Sequence, residues 1–211
     1  MNNKKDELFL NDLCDKYGSD KGTNVDQSGK AWPFHNYTKV YAEIFSSIKN
    51  DNLIIFECGI GTNNVNLPSN MGPDGKPGAS LRVWREYFLN ANIYGADVDK
   101  DILFEEDRIK TGYINQLDAK TVDEFFNKFN ITPDLIIDDG LHTVEAATSL
   151  YDSSFKYLKN GGIYIIEDIF LEEIQDVVKH ISSKSNDDIK VYESIDGNTR
   201  IDNNLIVVYK K

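Results

Sequence analysis

The chain has 211 residues, 40% of them hydrophobic and 27% charged, a composition that supports one sizeable core and argues against long disorder. Lys plus Arg number 23 against 35 Asp plus Glu, a formal net charge of -12. Duplex binding needs a basic surface and an anionic membrane face repels an acidic one, so neither nucleic acid nor a membrane surface is an expected partner. No stretch approaches the ~20 consecutive apolar residues of a membrane span. Met1-Asn2-Asn3-Lys4-Lys5-Asp6-Glu7 has positive charges but no apolar segment behind them, so it does not read as a signal peptide. Cys14 and Cys58 have no CxxC partners, and two reduced thiols in a cytoplasmic protein are the expectation.

The first fifty residues stand apart from the strand–helix alternation of the remaining chain. Tyr17-Gly18-Ser19-Asp20-Lys21-Gly22-Thr23 is polar and turn-like, and Val40, Ile44, Phe45 and Ile48 line one face of a short helix. Residues 1–50 are read as an N-terminal cap over the strand ends of a core spanning residues 51–211. In that core, Leu53-Ile54-Ile55-Phe56 is a short apolar run of the kind buried on both faces of a sheet. It ends in Glu57-Cys58-Gly59-Ile60-Gly61, and an Asn-, Pro- and Gly-rich loop runs to Gly78. Leu81, Trp84 and Phe88 then recur at helical spacing. A second strand covers Asn92 to Asp97, a third Gly112 to Ile114, and a helix Thr121 to Phe129.

The fourth strand is Asp134-Leu135-Ile136-Ile137-Asp138-Asp139. Val144, Ala147, Tyr151, Phe155 and Leu158 line the next helix, which Asn160-Gly161-Gly162 stops. A fifth strand is Ile163 to Ile166, followed by a helix near Leu171 to Ile181. Strands near Ile189 to Glu193 and at Leu205 to Tyr209, joined through Asp196-Gly197-Asn198, suit an antiparallel edge pair. The alternation predicts an α/β fold: a doubly wound, mostly parallel, seven-stranded Rossmann-like sheet.

In such sheets ligands bind beyond the carboxyl ends of the strands. Glu57-x-Gly59-x-Gly61 ends the first strand, but Asn64 stands where a dinucleotide fingerprint has its third glycine. An acid and two glycines, followed by Asp97 ending the second strand, instead suit S-adenosylmethionine, whose amino group and ribose diol seek carboxylates and which has no pyrophosphate. Asp99 is a neighbouring candidate. The second constellation is Asp138-Asp139-Gly140-Leu141-His142 with Glu167-Asp168, on strands joined by one helix. Crowding Asp139, Glu167 and Asp168 is costly unless a cation or protons relieve it, and an oxygen-only donor set suits magnesium. His142 would hang over that site, placed to take a proton from a substrate hydroxyl. The competing account is that each acid caps the helix after its strand. His35 faces the site or plays a structural part with equal weight, and His180 reads as packing or surface.

Together these segments resemble the class I S-adenosylmethionine-dependent methyltransferases, and more narrowly the metal-dependent macrolide-sugar O-methyltransferases and their cephalosporin-hydroxylase-like relatives. The resemblance runs through Tyr17 to Lys21, Glu57 to Gly61, Ser80 to Trp84, Gly95 to Asp99, Asp138 to His142 and Gly161 to Asp168. It implies one methyltransferase domain over residues 1–211. It implies Asp139, Glu167 and Asp168 as magnesium ligands, with His142 as general base and Asp139 sharing the catalytic centre. It implies cofactor contacts from Glu57, Gly59, Gly61, Asp97, Asp99, Gln116, Asp118 and Asp138, with Tyr17, Ser19 and Lys21 closing a lid.

Relatives acting on large glycosylated substrates carry a further N-terminal domain that these residues do not contain. The expected acceptor therefore shifts towards a sugar-like small molecule, such as a nucleotide sugar, a surface-polysaccharide precursor or a natural-product glycoside. A phosphate- or carboxylate-containing acceptor and a non-catalytic cofactor-binding partner are the alternatives. A homo-oligomer is compatible with an edge strand and with apolar residues in the cap.

Overall fold

The computed structural model describes residues 2–23, 35–193, 195 and 201–211. Along the central strands, Ile55, Leu135, Ile137, Ile165 and Val207 face one side, while Phe56, Ile136, Tyr164, Ile166, Ile206 and Val208 face the other. Both faces are covered by helices, which is why these strands read as continuous apolar runs.

In chain order the elements are α1 (Asn2–Tyr17), α2 (Thr38–Phe45), β1 (Ile54–Cys58), α3 (Ala79–Tyr87), β2 (Asn92–Asp97), β3 (Glu105–Glu106), β4 (Ile109–Tyr113) and α4 (Ala119–Phe129). They continue with β5 (Leu135–Asp138), α5 (Val144–Ser154), β6 (Ile163–Ile166), α6 (Ile174–Lys184), β7 (Asp188–Tyr192) and β8 (Leu205–Tyr209). The sheet order is β3-β4-β2-β1-β5-β6-β8-β7. Strands β4, β2, β1, β5 and β6 are parallel, whereas β8 runs antiparallel to β6, β7 to β8, and β3 to β4. From β1 the chain builds outward through β2 and β4 in one direction and through β5 and β6 in the other. The crevice at that reversal is where open α/β sheets bind ligands.

Helices α1, α2 and α3 cover one face through Leu10, Leu13, Tyr41, Phe45, Leu81 and Trp84. Helices α4, α5 and α6 cover the other through Val122, Phe126, Leu150, Tyr151, Val177 and Ile181. Among the described residues no helix is long and apolar enough to cross a membrane.

The expected architecture is present, with differences at the margins. The sheet has one strand more than the seven expected: Glu105–Glu106 is exposed and wholly polar, so it carries no apolar signal. The third strand begins at Ile109, and the helix expected from Leu171 begins at Ile174, after a turn that starts at Leu171. The turn expected at Asp196-Gly197-Asn198 lies outside the described residues.

Candidate active site

Register sets the site. Cys58 pairs with Ala96 on one side and Asp138 on the other, and Asp138 pairs with Ile166. The next residues extend the ladders by one step: Gly59 N donates to Ala96 O (2.8 Å), Asp139 N to Cys58 O (2.8 Å) and Glu167 N to Asp138 O (2.9 Å). Gly59 has φ 86°, and a Cβ there would lie 1.9 Å from the Asp139 carbonyl oxygen, so only glycine lets the two strand ends approach.

The strand-end acids do not cap the helices that come after them. Helix α5 is capped by Thr143, whose hydroxyl accepts from Ala146 N at 3.2 Å, and Glu173 makes no side-chain cap for α6. The capping account holds instead for Asp118, which is exposed and accepts from Lys120 N at the start of α4.

A cavity of about 630 Å³ opens above these strand ends. Of the expected residues, Ser19, Lys21, Gly59, Gly61, Asp97, Gln116, Asp139, His142, Glu167 and Asp168 line it. Five lie elsewhere. Glu57 and Asp138 are buried one layer behind the wall. Tyr17 donates to Glu86 at 2.7 Å on the outer side of α3. Asp99 is taken up by Thr62 (2.5 Å) and by Asp101 N (3.0 Å), bracing a turn, and Asp118 is the helix cap at the start of α4. Asp97 faces the cavity while accepting from Ile60 N (3.0 Å) and Asp99 N (2.9 Å). Apolar side chains that the sequence did not single out, Val98, Ile114, Leu117, Leu141 and Phe170, complete the walls.

The N-terminal segment supplies the counter-groups. Lys21 Nζ lies 2.6 Å from Asp139 Oδ2, 2.5 Å from Glu167 Oε2 and 3.7 Å from Glu57 Oε1. Tyr41 donates to Glu167 Oε1, and Tyr37 donates to Asp168 Oδ1 at 2.5 Å. His35 Nδ1 lies 3.1 Å from that same Asp168 oxygen. Neither tyrosine figured among the expected site residues. Tyr37 precedes, and Tyr41 lies on, the helix that carries Val40, Ile44 and Phe45; their i, i+4 spacing was the available sign, and it reads equally well as core packing.

One ammonium is shared among three carboxylates. Burial pushes the Glu57 carboxyl up to about 7, against the pull of Lys21. Burial and the charges of Asp139 and Glu57 raise Glu167 well above the usual range, Lys21 opposing. Asp139 keeps its charge: burial is overruled by Lys21 and His142, and its carboxyl is held at about 2. Burial raises Asp138 to about 7. Burial alone would depress His142, but Asp168 and Asp139 override it and lift the ring to about 9.

Asp139, His142 and Asp168 each offer a ligand atom within 4.8 Å of the others, close enough for one metal ion. His142 Nε2 is buried without a hydrogen-bond partner, 3.3 Å from Asp139 Oδ1. Glu167, the third acid expected to bind metal, is engaged on both oxygens by Lys21 and Tyr41. Glu57 Oε1 and Asp138 Oδ2 are likewise buried acceptors without hydrogen-bond donors, one behind the glycine turn and one beside Gln116. Buried polar atoms are normally paired, so these two acceptors stand out as unsatisfied.

The chain has the Rossmann-like fold of the methyltransferases. It superposes on the MycE methyltransferase of the mycinamycin biosynthetic pathway, solved in complex with Mg and SAH, with a TM-score of 0.71 at 23% identity, over 95% of this chain and 54% of that one. In sequence it is similar to two Streptomyces olivaceus enzymes. One is 8-demethyl-8-alpha-L-rhamnosyl tetracenomycin-C 2'-O-methyltransferase, 27% identical over 165 residues, which make up 78% of this chain and 39% of the enzyme. The other is 8-demethyl-8-(2-methoxy-alpha-L-rhamnosyl)-tetracenomycin-C 3'-O-methyltransferase, 32% identical over 140 residues, 65% of this chain and 33% of the enzyme. The chain thus spans well under half the length of these curated relatives. No protein-family profile matches it.

Proposed function

We propose that the protein is an S-adenosylmethionine-dependent, magnesium-assisted O-methyltransferase acting on a hydroxyl of a sugar or sugar-like small molecule. The observation that carries this reading is the convergence of Asp139, His142 and Asp168 on one point of a cavity that Gly59, Asp97 and Gln116 also line. The relatives named above methylate sugar hydroxyls, and MycE was solved with Mg and SAH, which supports the same chemistry here.

When bound, S-adenosylmethionine supplies an electrophilic methyl group, and a divalent ion supplies charge that orients and acidifies the acceptor. The Gly59–Gly61 turn leaves room for the methionine end, with the Glu57 acceptor behind it for an ammonium. Asp97 would hold the ribose hydroxyls, and Gln116, bonded to Asp138 behind it, would hold the adenine amine. Asp139 and Asp168 would hold the ion, with Glu167 as their third partner. His142 removes the acceptor proton. Walls that held acceptor oxygen and methyl in line would be the main source of rate in such a transfer.

The reading takes residues 1–211 as one methyltransferase domain, with 1–50 as its cap. It places the protein in the cytoplasm, without nucleic-acid or membrane partners, in keeping with the net charge of -12. Self-association through the sheet edge belongs to the same reading. Methyl transfer from labelled S-adenosylmethionine to a panel of nucleotide sugars and glycosides, with magnesium and with EDTA, tests it. Turnover that stops in EDTA is expected; undiminished turnover in EDTA contradicts the metal assignment.

A further inference from the structure

The carboxylate cluster already holds a cation of its own. The Lys21 side chain is 3% exposed, and its ammonium bonds to Asp139 and Glu167 with Glu57 close behind. Hard oxygen donors converging on one point are also what a divalent ion seeks. The two cannot share the position, because an ammonium and a doubly charged ion a few ångströms apart repel strongly where water is scarce. The three acids expected to form one metal site are accordingly divided. Glu167 is committed to Lys21 and Tyr41, while Asp168 faces Tyr37, His35 and His142. Only Asp139 touches both groups, with Oδ2 on Lys21 and Oδ1 on His142.

We infer that Lys21 is the exchangeable occupant of the Asp139–Glu167 pair: a divalent ion loads by displacing its ammonium, and Glu167 joins Asp139 and Asp168 around the ion only when Lys21 withdraws. The inference rests on the metal-assisted reading above and adds to it a residue that sets ion occupancy. The backbone need not move for the exchange. Thr38 N holds the Lys21 carbonyl at 3.3 Å and His35 N holds the Asp20 carbonyl at 2.8 Å, while the four-carbon stem lets the ammonium swing into the cavity that Lys21 lines. The device keeps buried carboxylates balanced before the ion arrives, since leaving them uncompensated is strongly destabilising.

Two measurements test this, with Mn2+ as the probe because it shares magnesium's oxygen preference. The first is calorimetric titration of Mn2+ into the wild-type protein, Lys21→Met and Lys76→Met, the last removing a different lysine from the cavity wall. The second is acetylation of wild-type lysines by an amine-reactive ester, read at Lys21 by peptide mass spectrometry with and without saturating Mn2+. Displacement predicts that Lys21→Met binds Mn2+ about tenfold or more tightly than wild type, a 1.4 kcal/mol effect, while Lys76→Met stays within about twofold. It also predicts that Lys21 is protected from acetylation in the ion-free protein and labelled once Mn2+ is bound. Equal affinities with unchanged labelling overturn the exchange and leave the metal assignment standing on Asp139 and Asp168. Tighter binding by Lys21→Met with Lys21 still protected in the wild type reduces the effect to charge relief and also overturns displacement. No Mn2+ binding to any of the three proteins overturns the metal reading and this inference with it. Should Lys21→Met fail to fold, the wild-type labelling decides alone.

Discussion

His142 and Asp168 hold φ of 57° and 56°, in the left-handed region that residues bearing a Cβ adopt only when their surroundings demand it. Their side chains face each other, His142 Nδ1 lying 3.8 Å from Asp168 Oδ2. The charges of Asp168 and Asp139 lift the ring to about 9, so it carries a proton at neutral pH and becomes a base only once a bound ion offsets those charges. Replacing His142 with Ala should lower turnover by about 10²–10⁴-fold, the range for loss of a general base, and leave S-adenosylhomocysteine affinity unchanged. Parallel loss of turnover and cofactor affinity would remove His142 from the proton-transfer role. The placing of Asp139, Glu167 and Asp168 at strand ends, with His142 three residues after Asp139, was readable before the fold, because apolar runs end there and strand ends are where α/β sheets bind ligands. Lys21, Tyr37 and Tyr41 were not readable as their partners. Lys21 lies 118 residues from Asp139 and 146 from Glu167, and nothing local encodes that pairing.

At the level of elements, the turn after β1 separates two uses of glycine. A Cβ at Gly59 meets backbone, 1.9 Å from the Asp139 oxygen, whereas one at Gly61 meets only the side chain of Met71 at 2.4 Å. Both residues have positive φ, 86° and 82°. Gly61→Ala should therefore cost about 1 kcal/mol, the conformational penalty with a flexible neighbour giving way. Gly59→Ala should cost on the order of 3 kcal/mol, because β1 and β5 must separate. Urea denaturation of the two variants measures this, and equal losses would contradict the close-approach argument. The same contrast between backbone-determined and side-chain-determined features explains which elements were legible. Strands β1, β5, β6 and β8 announce themselves by continuous apolar runs, and α3 by Leu81 and Trp84 at helical spacing. Strand β3 forms because the chain folds back beside β4 and pairs Glu105 with Lys110, a consequence of topology that two exposed glutamates do not signal.

Across the whole molecule, the two helix layers isolate a row of acids between apolar clusters, and this shapes how stability responds to pH. Glu57 has no exposed surface, accepts from Trp84 Nε1 at 2.5 Å, and is raised from 4.5 to about 7 chiefly by burial. An acid whose folded pKa is raised binds its proton more tightly when native, so its contribution is fully present below its unfolded value and is lost as pH climbs through the folded one. Glu57→Gln removes that dependence. The stability of the variant relative to wild type should rise steadily between about pH 4.5 and 7 and level off above, as the titrating window of the group dictates. Denaturation curves at stepped pH give this difference, and a flat or falling one would show that Glu57 keeps its charge in the fold.

The account stands or falls on whether the crevice between β1 and β5 binds the methyl donor. Calorimetric titration with S-adenosylhomocysteine, run in magnesium and again in EDTA, reads this most directly. Binding in both, with similar affinity, is predicted, because the proposed cofactor contacts at Gly59, Asp97 and Gln116 do not include Asp139, His142 or Asp168, whose ligand atoms converge on one point. No binding under either condition would contradict the account and leave the carboxylate cluster in need of another explanation.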